Sequence, residues 1–381
     1  MFGSLEKRVV KAVAAIRPDA LASTLAEAGV GIAAAVDGKS VRVTLQPGFP
    51  CNGMRDVLAQ AAAQAAVDAG AESVQVVIEP KILPHQAQQG LASLDAVKNV
   101  IVVASGKGGV GKSTTSVNLA LALAAEGARV GILDADVTGP SQQLMLGVPF
   151  GQRPGVKEEK YFVPIVAHGV QAMSMGFMAD QVTAIVWRGP KLSGALQQLT
   201  LQTLWSDLDY LVVDMPPGTG DVQLTLAQRI PVAGAVIVTT PQDIALMDAR
   251  RGIEMFRKVD IPVLGVIENM AMHVCSNCGH AEHIFGEGGG ERIAKEYGSE
   301  LLGSLPLDRK IREQADHGRP TVVAEPDGPL AQAYRGIARR LAARLAVRPV
   351  AKKQAFPKIV QSEEDGTPAG GGGVQRYIPP G

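Results

Sequence analysis

The hydrophobic pattern changes character at about residue 99. Before that point apolar residues recur with a helical period over residues 5–16, and β-rich runs follow at 30–36 and 41–45. Between those runs stands Asp37-Gly38, a dipeptide suited to the positive φ angles of a tight hairpin turn. An Ala-rich helical stretch over 54–69 and a strand over 74–78 complete a small α+β domain spanning residues 1–80, and residues 81–98 follow as a linker. From 99 onward, unbroken apolar runs at 100–104, 130–133, 210–213, 235–238 and 263–267 alternate with helical segments. Such runs predict strands without a solvated face, as in a parallel sheet covered on both sides. A last helix over 330–345, with Arg335, Arg339, Arg340 and Arg344 assigned to a polar face, closes this second domain at 348. Residues 349–381 surround a run of small residues with Pro, Lys and Glu, and their apolar area is too small to offset the entropy of ordering, which predicts a disordered tail. The expected fold class is therefore α/β, a mostly parallel sheet with helices on both faces, preceded by a small α+β domain.

Charge narrows the partners. Acidic and basic residues balance at 37 each, which leaves no global electrostatic attraction for nucleic acid or an anionic membrane. Glu6, Lys7 and Arg8 interrupt the N-terminal apolar residues, so no signal peptide is expected there, and no stretch approaches the roughly 20 uncharged residues of a membrane span. A cytoplasmic protein is expected. The 3 cysteines are too few and odd in number for a disulfide framework, and two of them stand as Cys275-x-x-Cys278, the spacing of a metal-ligand pair in a reducing compartment. Cys51, after Pro50 and ahead of a helix, reads as a small buried residue, with transient cluster ligation as the alternative.

The strand at 101–104 runs into Ser105-Gly106-Lys107-Gly108-Gly109-Val110-Gly111-Lys112-Ser113-Thr114, followed by a helix over 117–125. This is a Walker A loop. Backbone N–H groups from Gly106 through Thr114 wrap phosphate, the helix N-terminus favours negative charge, Lys112 neutralises the β/γ-phosphates and the Ser113 hydroxyl ligates Mg²⁺. The same residues fit G-x-G-x-x-G, with Asp134 where a dinucleotide fold places its ribose-binding acid. The Gly-Lys-Ser ending has no role in dinucleotide binding, so ATP with Mg²⁺ is the expected ligand. Two further strands end in carboxylates at the edge where ligands bind in open α/β sheets. The first gives Asp134-Ala135-Asp136, with Asp136 to orient the attacking water and Asp134 to hold a Mg²⁺-bound water; the plainer reading is that both cap the next helix. The second gives Asp214, Walker-B-like, and then Met215-Pro216-Pro217-Gly218-Thr219-Gly220-Asp221, a loop fit to sense a γ-phosphate. Asn269 carries a donor and an acceptor suited to an adenine edge.

Two thiolates at 275 and 278 share a metal, yet a closed tetrahedral site needs four ligands. His273, His280 and His283 would complete a zinc site within one chain. Alternatively, two chains related by two-fold symmetry would each give two cysteines to one [4Fe-4S] cluster.

Taken together, these runs, with Trp187-Arg188-Gly189-Pro190, Glu268-Asn269-Met270 and the Cys275-x-x-Cys278 followed by His-x-x-His-Ile-Phe-Gly, closely resemble the Mrp/ApbC iron-sulfur carrier ATPases over about residues 99–345. Single runs are shared with MinD, ParA and nitrogenase-iron-protein relatives; the cysteine segment is peculiar to the carriers. The resemblance implies a P-loop NTPase fold and a homodimer bridged by a labile [4Fe-4S] cluster on Cys275 and Cys278 of both chains. It also implies that the cluster is delivered to apoproteins and exchanged with assembly scaffolds. It implies that Lys107 is the signature lysine of a deviant Walker A loop, reaching the partner's nucleotide to stabilise transition-state charge; alone it would read as a solvated loop lysine. The catalytic set is then Lys107, Lys112 and Asp136. The first 80 residues resemble a small domain related to cytosolic iron-sulfur assembly factors, with Arg17-Pro18-Asp19-Ala20 replacing its acid-proline signature, and Thr138 stands where the carriers usually have an aromatic. The alternatives are a MinD/ParA-like positioning ATPase, whose basic amphipathic tail helix is missing here, and a zinc-stabilised nucleotide-binding scaffold.

Overall fold

The computed structural model describes residues 4–88, 91, 94–136, 139–178, 189–275 and 277–351. Trp187, Arg188 and Thr138 lie outside the described residues. The chain begins with α1 (Leu5–Ala14), β1 (Gly31–Asp37), β2 (Ser40–Gln46), α2 (Arg55–Asp68) and β3 (Ser73–Ile78). The Asp37-Gly38 turn makes β1 and β2 an antiparallel hairpin, and β3 returns parallel to β2 after α2. Val41, Val43 and Leu45 alternate inward from β2 against Val9 and Val13 of α1 and Leu58, Ala62 and Ala66 of α2. Period two on the strand and three-to-four on the helices meet in one core.

The second domain opens with β4 (Val97–Ala104), α3 (Lys112–Ala125), β5 (Val130–Asp134) and α4 (Gln142–Met145). Four short strands follow: β6 (Gly155–Lys157), β7 (Tyr161–Val163), β8 (Ile165–Ala167) and β9 (Val170–Ser174). Then come α5 (Gly189–Leu201), β10 (Leu208–Asp214), α6 (Asp221–Arg229), β11 (Gly234–Thr239), α7 (Asp243–Lys258) and β12 (Val263–Glu268). A ribbon of β13 (His273–Val274) and β14 (Ala281–Glu282) precedes α8 (Gly289–Glu296), β15 (Leu301–Ser304), α9 (Arg309–Asp316), α10 (Thr321–Ala324) and α11 (Pro329–Ala346). The sheet has 8 strands in the order β15-β12-β11-β4-β10-β5-β9-β8, parallel except for the edge pair β8–β9. Helices α3 and α11 pack together on one face, and α5 to α8 form the other layer. Every residue of β5, β10 and β11 is buried, as their continuous apolar runs require of strands covered on both sides.

Three expectations are corrected. Helix α3 starts at Lys112, not 117, because Lys112, Thr115 and Ser116 are buried in its first turns with their polar atoms bonded. The arginines of α11 do not form one solvated face. Arg335 Nε donates to Glu126 Oε1 at 2.7 Å, Arg339 Nη1 stands 3.7 Å from the same oxygen, and Arg340 donates to the Leu302 carbonyl. Glu126, 1 % exposed at the end of α3, draws Arg335 and Arg339 inward. The segment assigned to the tail is structured at its start: Val350 bridges to His85, and the Ala351 N–H donates to the Pro84 carbonyl. The remainder, 352–381, lies outside the described residues. Glu126 also joins the two domains, since Oε2 accepts the Gly53 N–H at 2.8 Å and its carbonyl accepts the Asn52 N–H at 3.0 Å. Among the described residues no helix is long and apolar enough to cross a membrane.

Candidate functional site

The phosphate loop leaves the C-terminal end of β4, between the neighbouring strands β10 and β11. A Cβ on Gly106 would fall 2.2 Å from the backbone carbonyl of Asp248 on α7, so the first glycine is dictated by close approach. Gly109 and Gly111 have φ of 83° and 80°, the left-handed conformation that lets successive N–H groups turn inward, and Gly111 is the N-cap of α3. The Ser105 carbonyl accepts the Gly218 N–H at 2.9 Å, which fastens the Pro216-Pro217-Gly218 loop to the phosphate loop. Lys107 sits half-buried, between Gly106 and the exposed Gly108 and Gly109.

Lys112, 6 % exposed, directs Nζ to Asp214 Oδ1 at 2.6 Å and to Ser113 Oγ at 3.2 Å. Asp214 and Asp134 are register partners on β10 and β5, and both are fully buried. Asp214 also has Ser116 Oγ at 2.8 Å from Oδ1 and Gln142 Nε2 at 3.0 Å from Oδ2. Asp134 accepts the N–H groups of Asp136, Ser141 and Gln142 and the hydroxyl of Ser174, at 3.0–3.1 Å. Burial, and after it the Asp214 carboxylate, push its pKa up to about 7 against these donors and Lys112. Asp136 Oδ1 accepts the Gly139 N–H at 3.2 Å, and Asn269 Nδ2 donates to the Val110 carbonyl at 2.9 Å. The sequence offers that amide to an adenine edge, and in the structure its Nδ2 also braces the phosphate loop.

These residues fit Mg²⁺ and nucleotide. Among the described residues, two buried carboxylates face a single ammonium, and Ser141 Oγ and Gln142 Oε1 are buried beside them without partners. A divalent cation on Ser113, with Asp134 and Asp214 behind its waters, suits that charge. Gln142, Ser116 and Ser174 were missed by sequence reasoning, because a glutamine or serine carries no signature until the strands align.

Cys275 and Cys278 project on the β13–β14 ribbon, Cys278 exposed and Cys275 half-exposed. The backbone N–H groups of Cys278 and Asn277, then the Cys278 thiol, hydrogen-bond toward Cys275 and hold its pKa below the usual thiol value. N–H groups pointing at a sulfur make a turn that favours the thiolate, the form a metal takes. His273 Nδ1 bonds the Leu307 carbonyl and His283 Nδ1 the Ala271 carbonyl. Among the described residues no three His, Cys, Asp or Glu side chains gather as a metal-holding group, so the thiols stand as a pair. Cys51 is buried in the core, and burial pushes its thiol up to about 11, the state of an inert packing residue.

The sequence model of the family described as ParA: NUBPL iron-transfer P-loop NTPase matches residues 96–342. The chain belongs to this family. The iron-sulfur cluster carrier protein of Pseudomonas fragi is 66% identical over 269 residues, 71% of this chain and 94% of that protein. The nucleotide-binding protein of Archaeoglobus fulgidus, solved with ADP, is 36% identical, covers 63% of this chain and 92% of its own, and superposes with a TM-score of 0.54. The Pyrococcus furiosus cell division ATPase MinD, 22% identical with a TM-score of 0.50 over 64% of this chain and 98% of its own, shares the fold. As an iron-transfer P-loop NTPase, the chain is a nucleotide-binding ATPase, and the dinucleotide reading of its glycines falls away.

Proposed function

We propose that the chain is an ATP-hydrolysing carrier that holds a labile [4Fe-4S] cluster between two copies of itself and hands it to cytoplasmic apoproteins. The observation that supports this reading is the pair Cys275 and Cys278, two accessible thiols per chain with no third metal-ligating side chain gathered beside them among the described residues. A symmetric pair of chains supplies four. The relatives named for iron-sulfur transfer point the same way.

In the ATPase step Lys112 exchanges Asp214 for the β/γ-phosphates, and Asp214 keeps Ser116 and Gln142 as partners. The loop N–H groups from Gly106 to Thr114 hold the phosphates, and Ser113 holds Mg²⁺, which offsets phosphate charge when bound. Asp136 orients the attacking water, and Asn269 keeps the Val110 peptide in place. Lys107 of one chain reaches the nucleotide held by its partner, which makes hydrolysis depend on dimerisation.

Anaerobic reconstitution with iron and sulfide tests the cargo. The expected result is about four iron per two chains with a visible thiolate-to-iron absorbance. Cys275→Ala or Cys278→Ala removes two ligands of the shared four, so either chain loses the chromophore while ATP binding stays near the parent value. Stoichiometric zinc without iron, lost equally on His280→Ala, would overturn the reading in favour of the zinc scaffold.

A further inference from the structure

The last residue of β12 and the residue after it grip two different parts of the site. The Asn269 amide lies flush on the phosphate loop: a Cβ on Gly111 would stand 2.2 Å from its Nδ2. Glu268, buried beside it and unused by the ATPase chemistry, faces elsewhere. Its Oε1 accepts the Gly290 N–H at 2.7 Å and its Oε2 lies 3.3 Å from Ser304 Oγ. Gly290 belongs to the first turn of α8, where the chain returns after the cysteine ribbon.

The excursion carrying Cys275 and Cys278 thus departs from a residue bonded to the phosphate loop and returns to one bonded to that residue's neighbour. Its own pairing is two residues deep, His273 with Glu282 and Val274 with Ala281, and its base is held further by the Ala271 N–H on the Leu305 carbonyl and the Leu307 N–H on the Met272 carbonyl. Its departure runs through Met270 at φ +56°, a conformation that a side chain holds only when its surroundings enforce it. Met270 stands between the Asn269 N–H, given to the Thr239 carbonyl, and the Ala271 N–H, given to the Leu305 carbonyl, so this bend aims the ribbon away from the phosphate loop.

We propose that Glu268 is a positioning residue that ties the thiol ribbon to the phosphate loop, so that nucleotide occupancy sets the exposure of Cys275 and Cys278. The functional meaning rests on the carrier reading; the coupling itself requires only ATP and the two thiols.

The test uses the full chain free of iron and follows monobromobimane labelling of each cysteine by peptide mass spectrometry, with and without Mg²⁺ and a non-hydrolysable ATP analogue. Cys51, buried, gives a separate slow signal. In the parent the nucleotide changes the rate at Cys275 and Cys278 by at least about fivefold, the low end of ordinary allosteric coupling. Glu268→Ala brings the difference below about twofold with ATP affinity unchanged, since this side chain lies outside the phosphate contacts. Glu268→Gln restores it, because an amide both accepts from the Gly290 N–H and donates to Ser304 Oγ. Should Glu268→Ala fail to fold, Met270→Gly loosens this bend, since glycine adopts the positive φ without strain, and shrinks the difference as much. A parent that labels equally with and without nucleotide overturns the proposal, as does a full response in Glu268→Ala, or in Met270→Gly when it stands in, or a Gln variant that behaves like Ala. A chain that fails iron reconstitution yet keeps nucleotide-gated labelling sinks the carrier reading and leaves this coupling standing.

Discussion

Around Asp214 the carboxylates outnumber the ammonium. Lys112 neutralises one charge, and Asp134, fully buried with four hydrogen-bond donors and, among the described residues, no cation in direct contact, is held partly protonated near neutral pH. Lys112→Ala removes the countercharge of both Asp214 and the phosphates, and hydrolysis followed by phosphate release falls by at least about a hundredfold. An undiminished rate would contradict the loop's assignment. Asp134 also makes stability depend on pH. Its folded pKa of about 7 lies above the unfolded 3.8, so the folded chain binds the extra proton and its contribution is fully present below about 4 and lost as pH rises through 7. Denaturant titrations of the ligand-free chain from pH 4 to 8 show that decline, and Asp134→Asn flattens the slope by roughly a few kcal/mol across that window. An unchanged slope would mean that the carboxylate is ionised throughout. The sequence made Lys112, Asp134 and Asp214 legible because each occupies a strand end or loop position with a charge-specific task. Gln142 and Glu268 were not legible, since their roles exist only once β5, β10, β12 and α8 are brought together.

The long apolar strands were visible as elements because burial on both faces leaves no polar alternation to confuse them with helices; β4, β5, β10, β11 and β12 lie where those runs predicted. The strands β6 to β8 were not, being three residues long with outward side chains such as Val156 and Val166. Nor was the true start of α3, whose polar first turn hides among the phosphate-binding residues. Elements also explain the first glycine of the loop. In Gly106→Ala the new methyl meets the Asp248 backbone, which cannot rotate away as a side chain would, so β4 and α7 must separate or the loop must shift. Affinity for a fluorescent ATP analogue falls by at least about tenfold, equivalent to about 1.4 kcal/mol. Binding within a factor of about two would show that α7 yields instead.

Over the whole molecule, a division into two domains was readable from the change in hydrophobic pattern, whereas their union was not. Helical periodicity treats Arg335, Arg339, Arg340 and Arg344 alike; what separates them is Glu126, distant in sequence and buried at the end of α3. Arg335→Ala leaves that carboxylate in the interface with the Gly53 N–H and, as its cation among the described residues, the more distant Arg339, at a cost of about 3 kcal/mol in denaturant unfolding. Arg344, paired with Glu300 near the surface, costs under about 1 kcal/mol when changed to Ala. Equal costs would mean that water reaches Glu126. The same carboxylate takes the Gly53 N–H of the first domain while α3 carries the phosphate loop at its other end. The two domains consequently share one melting unit: unfolding the first strips Glu126 of the Gly53 N–H, and unfolding the second leaves the Asn52 and Gly53 N–H groups without their acceptor. Scanning calorimetry of the parent gives one endotherm whose van't Hoff and calorimetric enthalpies agree, and Glu126→Ala splits it into two, with residues 5–78 unfolding first.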